Sequence, residues 1–147
     1  MQDLDFKSYI EKRPEFFFGQ RGINPLDICT HISQGAIALG ANKVQMGTCG
    51  PWHYVCADFD WFKSDLKQPY ENEQEIFEKF HAFPEYFQNS TRYEPFTNFY
   101  SEKLVTSSYE NIQVVKGKEL DGQLFENEFP ELINWARVIG FVFNRDA

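Results

Sequence analysis

The chain has 147 residues, with 14 basic and 22 acidic side chains and a formal net charge of -8. That field repels phosphate, which disfavours direct binding of nucleic acid or an anionic membrane and favours a basic protein partner. Aromatic residues make up 18% of it, 16 of them phenylalanine, enough to fill the core of one domain spanning residues 1–147, while the odd cysteine count (Cys29, Cys49, Cys56) without a CxxC pair argues against a disulfide framework or a structural zinc site.

The opening MQDLDFKSYI has neither a basic leader nor a long apolar run. No signal peptide and no membrane span are therefore expected, and the expected location is cytoplasmic. Residues 5–12 read as a short helix that Pro14 ends. Phe16, Phe17 and Phe18 follow as an apolar knot, with Gly19 and Gly22 freeing the backbone to turn.

A longer helix is expected over NPLDICTHISQGAIALGANK. Asn24 suits the N-cap, Pro25 the first helical position, and Asp27 the third, and Gly40 is a plausible stop. Gly35 costs that helix about 1 kcal/mol of propensity and calls for a reason. Residues 44–46 and 52–58 read as two strands joined by GTCGP. The two-residue period puts Trp52, Tyr54 and Cys56 on one face and His53, Val55 and Ala57 on the other.

Residues 73–83 suit a helix closed by Pro84, and Pro95 begins another reaching about Tyr100. Strand-like pieces then cover residues 103–109, 112–115, 123–126 and 138–143. Glu110-Asn111, Lys116-Gly117 and Asp121-Gly122 supply turns, and a short helix interrupts the last pair near residues 130–135. The order predicts an α+β fold, a two-layer sandwich of helices on a mostly antiparallel sheet.

The fragment YIEKRPEFFFG resembles the RKRPGMYIG segment that opens the gyrase B ATPase domain and its type II topoisomerase relatives, in the superfamily of Hsp90, MutL and sensor histidine kinases. ADFDWF is similar to the family's DDGRGIP, NFYSEKL to its NALSEKL, and GFVFNRD to its closing TVRFWPD strand. The resemblance implies a reduced ATPase-type fold whose chemistry is missing. HISQGAIA stands where the family has EVVDNAID. The general-base position thus falls on His31, and the magnesium-ligand position falls on Gly35, which has no side chain.

Asp58 matches the aspartate that holds the adenine amino group, but Asp60 and Phe62 stand where glycines let the nucleotide approach. The adenine-supporting threonine falls on Ile139, and no GxxGxG run follows. Phosphoryl transfer leans on Mg2+ to offset charge on the transferring oxygens, so no cofactor is expected. The acidic pairs Asp58/Asp60 and Glu71/Glu73 and the separated His31, His53 and His81 belong to no wider catalytic or metal-binding constellation.

These features favour a non-catalytic protein-binding module, an acidic inhibitor or immunity-type protein that masks a basic toxin or nuclease. Its expected contacts are Asp58, Asp60, Trp61, Glu71 and Glu73. Two alternatives stay open. One is a nucleotide-binding protein or weak ATPase using His31 and Asp58. The other is a topoisomerase-interacting or DNA-mimicking regulator.

Overall fold

The structure is a computed structural model and describes residues 24–63, 76–77, 93–109 and 111–144. The helix expected over residues 5–12, the Phe16–Phe18 knot and the acidic pair Glu71/Glu73 lie outside the described residues. So does most of the helix expected over 73–83, of which residues 76–77 are helical and buried.

Helix α1, Pro25–Ala38, begins as its sequence dictates. Asn24 is extended, and its Oδ1 accepts the Leu26 N–H at 2.8 Å, satisfying one orphan donor of the first turn. At the other end Gly40 takes a φ of +131°, which brings the Ala41 N–H back to the Ala36 carbonyl at 3.0 Å. Ile28, Cys29, Ile32 and Ala36 form the buried stripe.

Strands β1 (Val44–Cys49) and β2 (Trp52–Ala57) make an antiparallel hairpin in register from Val44↔Ala57 to Cys49↔Trp52. Gly50, at φ +58°, and Pro51 form its turn. A 3-10 turn, Trp61–Lys63, follows β2. Helix α2, Glu94–Phe99, carries Pro95 in its first turn and runs into β3 (Ser101–Ser108), β4 (Asn111–Lys116), helix α3 (Leu120–Glu128), a second 3-10 turn (Pro130–Asn134) and β5 (Arg137–Phe143).

The five strands form one antiparallel sheet in the order β1-β2-β5-β3-β4. The mixed α+β architecture is therefore as expected, with the last strand inserted between β2 and β3.

The layering differs from the expected two. One sheet face packs Val55, Ala57, Leu104, Ile139 and Phe141 against α1, α2 and residues 76–77. The opposite face packs Trp52, Tyr54, Cys56, Val105 and Val138 against Phe125, Phe129 and Leu132 of α3 and the turn after it. Helical segments thus cover both faces, giving three layers. The alternation along β2 required this, because Trp52, Tyr54 and Cys56 on one face and Val55 and Ala57 on the other are all apolar and buried. Burial also pushes the Cys29 and Cys56 thiols up to about 12, so both are inert packing groups, and all three cysteines are free.

A second correction concerns residues 120–128. The strand expected over 123–126 and the turn expected at Asp121-Gly122 are both inside α3. Two steric fits decide this. A Cβ on Gly140, in the middle of β5, would lie 2.5 Å from the Phe125 ring, so that ring rests directly on bare backbone. A Cβ on Gly122 of α3 would meet Ile112 and Val114 of β4 at 3.2 and 3.3 Å. Each element thus offers a glycine to the other's side chain, and the helix lies close on the sheet.

Asp121 anchors its first turn. One carboxylate oxygen accepts the Lys118 N–H at 2.6 Å, and the other pairs with Lys103 Nζ at 3.2 Å.

Gly140→Ala tests this docking. The added methyl has no space under Phe125, so the variant is expected to lose roughly 1–3 kcal/mol of stability, the usual cost of overpacking. A urea midpoint shift measures it. Phe125→Leu in the Gly140→Ala background is expected to recover part of that loss, whereas simple additivity of the two changes would refute the contact.

Candidate functional site

The acidic residues after β2 lie at the end of the sheet where β2 and β5 meet. Asp58 directly follows β2 and is exposed. Its Oδ1 accepts the backbone N–H groups of Asn42 and Lys43, both at 3.0 Å, while its own N–H donates to the Lys43 carbonyl at 3.0 Å. It ties the connection between α1 and β1 to the end of the hairpin.

Asp60 is bound more deeply. Arg137, the first residue of β5, donates Nε to Asp60 Oδ1 and Nη2 to Asp60 Oδ2, each at 2.8 Å. This is a bidentate pair, the geometry that a planar guanidinium and a carboxylate share. Arg137 Nη1 also donates to Thr106 Oγ1 at 3.2 Å, and that hydroxyl donates to the Val138 carbonyl at 2.8 Å. The guanidinium carbon lies 4.2 Å from the centre of the Phe62 ring, a cation-π contact. The Asp60 carboxylate also accepts the Phe62 N–H at 3.2 Å. The Arg137 side chain is 0% exposed and that of Asp60 15%.

Two sequence assignments change as a result. Trp61, expected as a surface anchor, is buried: its ring is 0% exposed, edge-on to Phe62, and its Nε1 donates to the buried Glu94 at 3.1 Å. A ring in the core has no face for a partner. Asp60, also expected as a contact, is mostly buried and holds Arg137. Asp58 stays at the surface, and Glu71 and Glu73 lie outside the described residues. Phe62 is buried, as is Ile139 on β5.

His31 lies on the outer side of α1. Its ring stacks on Tyr93 with centroids 4.0 Å apart and planes 11° from parallel. Partial burial lowers its pKa, and the nearby Asp27 charge works in the opposite direction. His31 and Asp58 share no contact among the described interactions. Gly35 is buried in α1 and adds no side chain. Among the described residues no group of three His, Cys, Asp or Glu side chains could hold a metal ion, and no helix is long and apolar enough to cross a membrane.

A further feature has no counterpart among the sequence expectations. Residues 119–136 contain five carboxylates (Glu119, Asp121, Glu126, Glu128, Glu131) and no lysine or arginine. They also carry three exposed large apolar side chains, Leu120, Leu124 and Ile133. The missing cations are visible in the sequence, but a strand over residues 123–126 would hide the surface they share. Helix α3 and strand β4 border an open groove of about 880 Å³ there.

Comparison with protein-family models, with curated proteins and with solved structures finds no match.

Two measurements test this site. Asp60→Ala removes the bidentate carboxylate from a fully buried guanidinium, so it is expected to cost about 3–5 kcal/mol. Arg137→Met leaves a carboxylate that can hydrate and keeps an apolar contact with Phe62, so it is expected to cost clearly less. Equal losses in chemical denaturation would contradict the asymmetry.

For His31, an NMR titration is expected to give a midpoint below 6.5, rising in Tyr93→Ala and falling further in Asp27→Asn. A lowered folded pKa means that the unfolded chain binds the proton more tightly. The His31 contribution is therefore full above 6.5 and is lost as pH falls through 6.5 toward the folded value.

Proposed function

We propose that this chain is a non-catalytic protein-binding module, an acidic inhibitor of the immunity type that masks a basic partner such as a toxin or nuclease. The observation that carries the reading is the Asp60–Arg137 pair with Phe62 against it. Under the gyrase B resemblance this stretch would carry glycines that admit a nucleotide, and the interlocked side chains of Asp60, Phe62 and Arg137 would leave no such approach. The magnesium-ligand position of that resemblance is a buried glycine, Gly35, and Asp58 Oδ1 already accepts two backbone N–H groups. The net charge of -8 supplies long-range attraction for a basic protein. An inhibitor of this kind needs a surface, not a pocket, and a few apolar anchors among steering charges.

Calorimetry of the full chain with ATP, ADP and GTP, with and without Mg2+, tests the non-catalytic half. No heat of binding is expected, and micromolar affinity, about -8 kcal/mol, would overturn it. Purification of the tagged chain from its native host tests the other half. A stoichiometric basic protein, released as salt is raised, is the expected companion, and a chain that emerges alone would count against the reading.

A further inference from the structure

The residues around α3 say where such a partner would be held. Strand β4 is the sheet's edge: β3 pairs with it on one side, and no strand among the described residues pairs with the other. Ile112 and Val114, two residues apart on that strand, point to one face and form the floor of the groove beneath α3. Gly122 keeps the helix close to that floor, and Leu120 and Glu119 at the helix start and Glu126 farther along complete the lining. Leu120 is 63% exposed, more than any other large apolar side chain described.

Among the described residues no cation lines the groove. The nearby Lys103 is paired with Asp121, Lys116 reaches back to the Asn98 carbonyl at 2.9 Å, and the exposed Lys118 stands between the lining residues Gly117 and Glu119. Apolar floor, two lining carboxylates and a strand edge unpaired among the described residues therefore coincide.

We propose that this groove is a docking surface for an extended, basic segment of a partner protein, in which cations and apolar residues take turns at every second position and so share the face turned to α3. The segment adds to the side of β4 that no described strand pairs with. Its apolar side chains meet Ile112, Val114 and Leu120, and its cations face Glu119 and Glu126. Strand addition supplies main-chain hydrogen bonds, and the alternation of side chains supplies selectivity. The assignment rests on the basic-partner reading and narrows it to one surface, separate from the acidic residues after β2.

The test uses the full chain, labelled with 15N, and a short peptide whose every second residue is in turn lysine and valine, with threonine between. Its counterpart with glutamate in place of lysine is the control. Chemical-shift changes are expected to cluster on β4 and α3 with the lysine peptide alone. Leu120→Glu and Glu126→Lys should each weaken binding about tenfold or more. Both positions lie at the surface, and the shift map of the unaltered chain decides the question even if a variant fails to fold.

Shifts that map to Asp58 or to the β1 edge would overturn this surface while leaving a basic partner in place. Absence of peptide binding would overturn it too, and the co-purification result would then show whether the basic-partner reading falls with it. Concentration-dependent self-association that Leu120→Glu abolishes would make a second copy the occupant and overturn the proposal.

Discussion

One ion pair holds together segments that the chain keeps 77 residues apart. Arg137 at the start of β5 and Asp60 in the loop after β2 meet in bidentate geometry, with Thr106 of β3 and the Phe62 ring also against the guanidinium. β5 is the strand inserted between β2 and β3, so the pair sits where three neighbouring strands and the post-hairpin loop have to agree. A buried guanidinium without a carboxylate carries a desolvation penalty of several kcal/mol. The loop therefore cannot leave the sheet without exposing or stranding a charge. That constraint turns Phe62 and Trp61 inward and makes core out of what the sequence suggested as contact surface.

On the other side of the sheet the ordering force is steric fit. Phe125 rests on Gly140 and Gly122 rests on Ile112 and Val114, so α3 can approach the strands closely. Its polar and acidic side is left outward. The two sides of the sheet thus separate two jobs. Next to the loop after β2, charge is neutralised internally and serves the fold. Along α3, carboxylates and leucines remain at the surface. Residues 22–42, 44–62 and 119–136 each lack lysine and arginine, and the last of these carries the most carboxylates, five.

Much of this architecture was legible in the sequence because it is locally encoded. Asn24 with Pro25, the positive-φ glycines at 40 and 50, and the alternation along Trp52–Ala57 each specify their own conformation within a few residues. α3 was not legible. LDGQLFENE contains a glycine, an asparagine and an Asp-Gly pair, all of which favour turns. Its helicity comes from contacts with β4 and β5, which no local pattern reports. The same applies to Asp60 and Trp61. An aspartate beside a tryptophan reads as a surface pair until a buried arginine 77 residues away is known to face it. The third layer could have been anticipated, since a strand that is apolar on both faces needs cover on both.

Whether Asp60 locks Arg137 in the interior decides whether the loop after β2 is held as part of the core. NMR of the assigned Arg137 guanidinium, in the full chain with and without Mg-ATP, reads this directly. The prediction is a solvent-protected Nε–H and slowed rotation about the Cζ–Nη bonds, both unchanged by nucleotide. A rapidly exchanging, freely averaging guanidinium, or one released when nucleotide is added, would contradict it.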